Sequence, residues 1–323
     1  MSEVVRVGVI GCGGISHGHM SNMKLLPQFH LRATMDIVED AAKSACKEFG
    51  ADYYTTDLNR VLKDPEIDAV YICTHHNTHV PIGIKAANAG KHIFCEKPLA
   101  LTIEECDQMV NTVKATGVKF MVGFHLRFAP LCKTAKEIVP KPVMTWGRMI
   151  QDRWPDDSWA QDPVEGGGNV LSVGCHTTDM VCWFNPSKPV EVHAEGGTMR
   201  HASKNVIDTM VSTIRFENGS VGVTIVADCG PAGLPAIAYE LLGEGEGVYV
   251  IPRLEFWHNG QKVDINTVGG GGKEYIHENR AFAEYVLHGG PSPVSVEDGR
   301  MTTLLILKGF ESVRTGKSQE INL

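Results

Sequence analysis

Residues 4–10, VVRVGVI, make a short, almost wholly apolar run rich in β-branched side chains. It leads without a break into Gly11-Cys12-Gly13-Gly14-Ile15-Ser16 and then HGHMSNMKLLP, closed by Pro27. An apolar run without alternation suits a strand buried on both faces, and glycines before a helical stretch allow a tight turn. A strand covered on both faces needs parallel neighbours reached through crossover helices, so this one unit of strand, glycine turn and helix restricts the fold severely. The sequence supplies such neighbours. LRATMDI ends in Asp36 and leads to the helix EDAAKSACKEFG, stopped at Gly50; DAVYIC leads to a helix around PIGIKAANAG; KHIFCEK leads to TIEECDQMVNTVKATG; VKFMVG follows as a further strand. This alternation predicts an α/β doubly wound parallel sheet.

In a sheet of this Rossmann type the first glycine permits the turn, and the second lets a dinucleotide pyrophosphate approach the backbone. The helix N-terminus then supplies N–H groups and partial positive charge. Gly11 and Gly13 hold those positions, with Gly14 and Ile15 at the helix start as further cofactor contacts and the small Ser16 in third place. Asp36 lies 25 positions beyond Gly11, near the offset of roughly 20 expected for the acid that accepts the adenosine ribose hydroxyls. Its carboxylate would repel a 2′-phosphate, and Ile37 follows instead of an arginine, so NAD is predicted over NADP. The alternative is that Asp36 only caps the next helix.

With 323 residues and 43% hydrophobic content the chain can bury a large core, and its length suggests two domains. Thirty Lys+Arg against 38 Asp+Glu give a net charge of -8, without a basic run, which argues against a nucleic-acid or anionic-membrane partner. No apolar stretch approaches the roughly 18 residues of a membrane span, and no leader pattern precedes the first strand. Nine cysteines are scattered without a C-x-x-C pair. A reducing, cytoplasmic location is expected.

In open parallel sheets ligands bind beyond the carboxyl ends of the strands. Two segments there carry chemistry: Thr74-His75-His76-Asn77-Thr78-His79 and Glu96-Lys97-Pro98. His75 and His79 have helical i, i+4 spacing, but no carboxylate in the cluster completes a metal site. The expectation is no metal, with Thr74, His75, His79, Glu96 and Lys97 as cofactor contacts; His17 and His19 are read as structural. Lys97, held beside a proline that restricts the backbone, can bind a substrate hydroxyl oxygen and help move its proton.

The strings VRVGVIGCGGISHGHM, GKHIFCEKPLALT, GFHLRFAP and GGGNVLSVGCHTTDM together resemble the glucose-fructose oxidoreductase / inositol dehydrogenase (Gfo/Idh/MocA) family over essentially the whole chain. The resemblance implies a nucleotide-binding domain followed by an α+β domain with an open-faced, mostly antiparallel sheet. It also implies NAD(P)-dependent dehydrogenation of sugars, cyclitols or polyols by dimers or tetramers.

The remaining sequence agrees independently. GRMIQDRW, PVEVHAEGG, VSTIRFENGSVGVTIVAD, AYELLGEGEGVYVIP and LEFWHNGQKVDI are strand-like, with Glu217-Asn218-Gly219-Ser220 and Asn259-Gly260 as hairpin turns. One amphipathic helix, GGNVLSVGCHTTDMVCWF, is expected to place Ser172, His176 and Asp179 on one face after Gly166-Gly167-Gly168. By the resemblance, His176 contacts the reacting hydroxyl and works with Lys97, while Asp179 supports the helix. Ser172 stands where the inositol dehydrogenase-like pattern has aspartate. A serine hydrogen-bonds but cannot stabilise an imidazolium by charge. Arg127, Arg153 and Trp154, with Ser172, complete the expected substrate wall; loop packing or a subunit contact is the alternative for Trp154 and Trp159. Beyond Gly269–Gly272 come two helices, ENRAFAEYVLHGG and VEDGRMTTLLILKGFESVRTG.

The expected domains are 1–122 for the dinucleotide, 123–272 for the substrate, and 273–323 as helices that, by the resemblance, pack back towards the first. The expected activity is hydride transfer between NAD and a secondary hydroxyl of a sugar, cyclitol or related polyol. Alternatives are a redox-neutral cycle that oxidises the sugar transiently before elimination, cleavage or epimerisation, and a non-catalytic sugar or nucleotide sensor. An open sheet needs a cover, so a homodimer or homotetramer is expected.

Overall fold

The computed structural model describes residues 4–152, 154–231, 233–270 and 272–322. Its elements run β1 (Val5–Ile10), α1 (Gly14–Met23), β2 (Phe29–Met35), α2 (Glu39–Phe49), β3 (Tyr53–Thr55), α3 (Leu58–Lys63), β4 (Ala69–Ile72), α4 (His79–Asn88), β5 (His92–Cys95), α5 (Ile103–Thr116) and β6 (Phe120–Val122). These strands pair in parallel in the order β3-β2-β1-β4-β5-β6. Val7, Val9 and Ile10 have no exposed surface, as a central strand covered on both faces demands. α2 and α5 each end on a glycine in the left-handed region, Gly50 (φ 78) and Gly117 (φ 68), where a side chain would be strained. α1 stops at Met23, short of Pro27, and the short edge strand β3 with α3 adds a unit that the apolar pattern of YYTT was too brief to reveal.

The second set begins with α6 (Pro130–Ile138), β7 (Met144–Ile150), α7 (Asn169–Ser172) and α8 (Gly174–Phe184). It continues through β8 (Pro189–Gly197), β9 (Thr209–Phe216), β10 (Val221–Ala227), β11 (Ile237–Leu242), β12 (Gly247–Ile251), β13 (Glu255–His258) and β14 (Gln261–Val263). The chain ends with α9 (Glu274–His288), α10 (Val296–Thr315) and β15 (Gln319–Glu320). The nine-stranded sheet has the order β14-β13-β12-β11-β7-β10-β9-β8-β15, antiparallel except where β7 lies parallel to β10. Asn259 (φ 48) and Gly260 (φ 78) form the expected hairpin turn with two left-handed residues. β9 alternates strictly: Met210, Ser212, Ile214 and Phe216 are buried, while Val211, Thr213 and Arg215 are exposed, so one face of the sheet is open.

On the covered face α8 packs against β7 and β10. Strand glycines let it sit close: a Cβ at Gly222 would come 2.5 Å from Val181, and one at Gly147 3.0 Å from Thr177. The helix is therefore buried nearly all round, Trp183 excepted, and is not the amphipathic helix expected from its polar residues.

The chain separates into two compact units, Met1–Gly123 with Tyr275–Arg300, and Phe124–Glu274 with Met301–Leu323. The C-terminal segment read as one block is divided at Arg300. Gly299 on α10 lies against Leu99 and Val122 of the first unit, whereas Gly309 lies against Met210, Ser312 bonds Ala194, and β15 pairs with β8, all in the second.

Candidate active site

In the first unit, the chain beyond β1 turns at Gly11, whose φ of 88° and 2.5 Å clearance from a would-be Cβ to the Cys73 carbonyl oxygen admit only glycine. Gly13 precedes α1, and a Cβ on Gly13 or Gly14 would meet nothing within 4 Å. No side chain caps that helix, so its first N–H groups open on free space. Ser16 is buried and its hydroxyl donates to the Gly13 carbonyl (2.7 Å), within the first turn of the helix. Asp36, at the end of β2, accepts the Cys12 N–H on Oδ2 (2.7 Å) and the Val38 N–H on Oδ1 (2.9 Å). Each oxygen keeps a lone pair that a ribose hydroxyl could use.

Beyond β4, Thr78 Oγ1 donates to Thr74 Oγ1 (2.6 Å). His79 is 1% exposed, with Nδ1 2.8 Å from the Pro98 oxygen and Nε2 3.1 Å from the Thr74 oxygen. Burial holds its pKa below the ordinary histidine value, so the ring is neutral near pH 7. His79 thus lies buried between the Thr74 loop and the Lys97–Pro98 loop, where its single N–H donates to one of the two carbonyl oxygens at a time; the sequence suggested a direct cofactor contact.

Glu96 is likewise turned inward. Its Oε1 lies 2.9 Å from His19 Nε2, and its Oε2 accepts the Lys97 backbone N–H (3.1 Å). Behind it, Asn279 donates through Nδ2 to the Tyr275 oxygen, which leaves Oδ1 to accept from the Tyr71 hydroxyl (2.9 Å) and from His19 Nδ1 (3.2 Å). This chain fixes the orientation of His19, hence of Glu96, and so of the backbone that carries the half-buried Lys97. Glu278, on the same helix as Asn279, is fully buried and its carboxyl oxygens have no hydrogen-bond partner among the described residues. Burial, reinforced by the negative Glu96, pushes its pKa well above the usual carboxylate range and so favours the protonated form.

In the second unit, Arg127 follows Phe124 and His125 in a short 3-10 turn and makes a two-pronged ion pair with Asp179 of α8, at 2.9 and 2.6 Å. Both side chains are buried. Asp179 therefore anchors α8, and the arginine expected on the substrate wall faces this helix. His176, one turn earlier, is 5% exposed, and its ring meets His125 edge-on at 4.6 Å between centroids. The helix breaks at Val173 (φ -116), so the spacing from Ser172 no longer sets a face common with His176 and Asp179. The glycines at 166–168 allow close approach as read from sequence, but to this chain itself: a Cβ at Gly166 would overlap the backbone of Ala160, and one at Gly168 would come 2.7 Å from Val206. Trp154 is half-buried with its N–H on the Asp228 carboxylate; Arg153 lies outside the described residues.

Residues 5–124 match the oxidoreductase family with an NAD-binding Rossmann fold known as Gfo/Idh/MocA, and residues 139–248 match its C-terminal domain. An uncharacterized oxidoreductase, YrbE, of Bacillus subtilis (strain 168) is 32% identical over 69% of this chain and 67% of its own. The chain belongs to the Gfo/Idh/MocA family. Myo-inositol 2-dehydrogenase of Thermotoga maritima is 29% identical over 98% of this chain and 99% of its own. A levoglucosan dehydrogenase solved in complex with NADH superposes with a TM-score of 0.89 at 25% identity, covering 98% of this chain and 99% of that one.

This Gfo/Idh/MocA oxidoreductase is an NAD-binding enzyme, and its residues fit the cofactor. The uncapped start of α1, opening on space that a Cβ at Gly13 or Gly14 would fill, suits a pyrophosphate, and Asp36 retains acceptor capacity for a ribose. No group of three or more His, Cys, Asp or Glu among the described residues is arranged to hold a metal. Asn279, Glu278, His125, His201 and Asp228 escaped the sequence reading, because single polar residues in apolar or loop segments give no periodic signal, and His19 was read as structural. The one available hint was position, since His19 and His125 lie within strings that carry the family resemblance.

Proposed function

We propose that this enzyme transfers a hydride between NAD and a carbon bearing a secondary hydroxyl of a sugar, cyclitol or related polyol. The supporting observation is the Glu96-Lys97-Pro98 turn at the carboxyl end of β5. It is held by His19 and His79 beside the glycine turn, in a chain whose relatives include an inositol and a levoglucosan dehydrogenase. Bound NAD supplies the redox step. Lys97 binds the substrate hydroxyl oxygen and takes its proton as the C–H bond breaks; His176 donates or accepts a hydrogen bond at the same hydroxyl and shares that proton. Asp179 and Arg127 hold His176 by anchoring α8, while Ser172, Trp154 and Arg153 contribute hydrogen bonds and an apolar face to the polyol.

The test is NADH formation from NAD over a panel of cyclitols, aldoses, aldonic acids and glycosides. Lys97→Ala should lower kcat by about 10²- to 10⁴-fold with NAD affinity unchanged. Equal activity of that variant would overturn the assignment of Lys97, and NAD reduction by no panel member would overturn the function. We further propose a homodimer or homotetramer in which another copy covers the open face of the nine-stranded sheet, in a reducing compartment such as the cytoplasm, where its nine free cysteines would persist. A monomeric mass by light scattering would refute the assembly.

A further inference from the structure

His201 occupies the segment between β8 and β9 and is fully buried. Its Nδ1 lies 2.7 Å from Asp156 Oδ1 and its Nε2 2.5 Å from Asp228 Oδ2. Each ring nitrogen thus faces a carboxylate oxygen, and the ring bridges the two acids. Asp228, directly after β10, also accepts the Trp154 backbone N–H on its two oxygens (3.1 and 3.3 Å) and Gln161 Nε2 on Oδ2 (3.0 Å). The backbone of His201 is itself pinned: Asp208 accepts the N–H groups of Met199, Arg200 and His201.

The two arms of the bridge differ. Asp228 has no exposed side-chain surface, whereas Asp156 is 46% exposed and sits on the loop that carries Trp154. Packing the interior needs only the first arm; the second reaches outward and ties that loop to a buried anchor. Trp154, Asp156 and Gln161 are in this way all fastened to one acid at the end of β10, directly or through the imidazole.

We propose that His201 is the positioning residue of the loop carrying Trp154, Asp156 and Gln161 and sets the affinity for the polyol without touching it. This rests on the substrate role proposed above for that loop. Asp156→Ala removes the outer arm at a half-exposed position and leaves the buried one intact; Asp156→Asn keeps an oxygen that can accept from Nδ1. The expected result is a rise of about tenfold in KM for the polyol in Asp156→Ala, with kcat within about twofold, KM for NAD unchanged, and Asp156→Asn close to wild type. An unchanged KM in Asp156→Ala, or equal losses in both variants, would overturn the proposal. If the wild-type enzyme reduces NAD with no polyol, the functional reading fails on its own. The bridge is then judged by limited proteolysis of the full chain: faster cleavage within 152–162 in Asp156→Ala than in wild type and Asp156→Asn supports it, and equal rates reject it.

Discussion

Asp36 shows how much one carboxylate can carry. It takes one backbone N–H from the glycine turn and one from Val38, so it shapes the turn, and in the proposed ribose site its charge would repel a 2′-phosphate. Asp36→Ala should raise the ratio of NADP- to NAD-linked kcat/KM, and unchanged selectivity would reduce the residue to a turn former. Glu278 gives a prediction of opposite character. A carboxyl whose folded-state pKa is raised binds its proton more tightly folded than unfolded. Its contribution is favourable at acid pH and is lost as pH rises above the ordinary carboxylate range. Glu278→Gln should therefore flatten the fall in melting temperature between about pH 5 and 8; parallel curves for variant and wild type would show that the buried acid is not protonated. Asp36 was legible because it stands at a fixed offset from a glycine string, a relation set by the geometry of one β-α-β unit. Glu278 was not, because what makes it unusual is the burial of a carboxyl beside Glu96, and the two are far apart in sequence.

Among the elements, α8 departs most from its sequence pattern. The sequence put Ser172, His176 and Asp179 on one polar face of an amphipathic helix, yet His176, Thr177, Thr178 and Asp179 are all buried. Glycines in β7 and β10 bring the sheet against it, and Arg127 neutralises Asp179 from the other side. Removing one member of a buried ion pair leaves a charge without its partner, so Arg127→Leu should cost about 3–5 kcal/mol in stability. Urea unfolding would measure this, and a double variant with Asp179→Leu should recover much of the loss. A destabilisation below about 1 kcal/mol would mean that the pair behaves as an exposed one. Strands were easier to read than this helix. The alternation in β9 and the Asn259-Gly260 turn depend only on neighbours along the chain, whereas the break at Val173 depends on what packs around it.

At the scale of the molecule, the first unit is not a continuous stretch. Tyr71 stacks on Phe94 at 4.4 Å, and Phe282 from α9 meets both rings edge-on, so residues more than 180 positions apart complete one apolar cluster. A fragment ending at residue 123 would expose Tyr71 and Phe94 to water. It should lack a cooperative thermal transition and bind no NAD, while the intact chain unfolds cooperatively and binds NAD; a well-folded, NAD-binding fragment would show that α9 is dispensable to this unit. The β-α alternation of the first half and the strand-rich second half announced two units, but a return of C-terminal helices to the first was expected only through the resemblance, since amphipathic helices do not reveal which surface they cover.

The same partition bears on how such enzymes acquire new substrates. The segment 124–274 is bounded by two crossings of the chain, and a third crossing at 300/301 returns residues 301–323 to the unit that 124–274 began. A cassette cut from a relative and grafted here would need three compatible seams, one of them inside α10. Exchange of whole modules is therefore a poor route to novelty in this architecture, and replacement of single loops, such as the one carrying Trp154, is the route its connectivity leaves open.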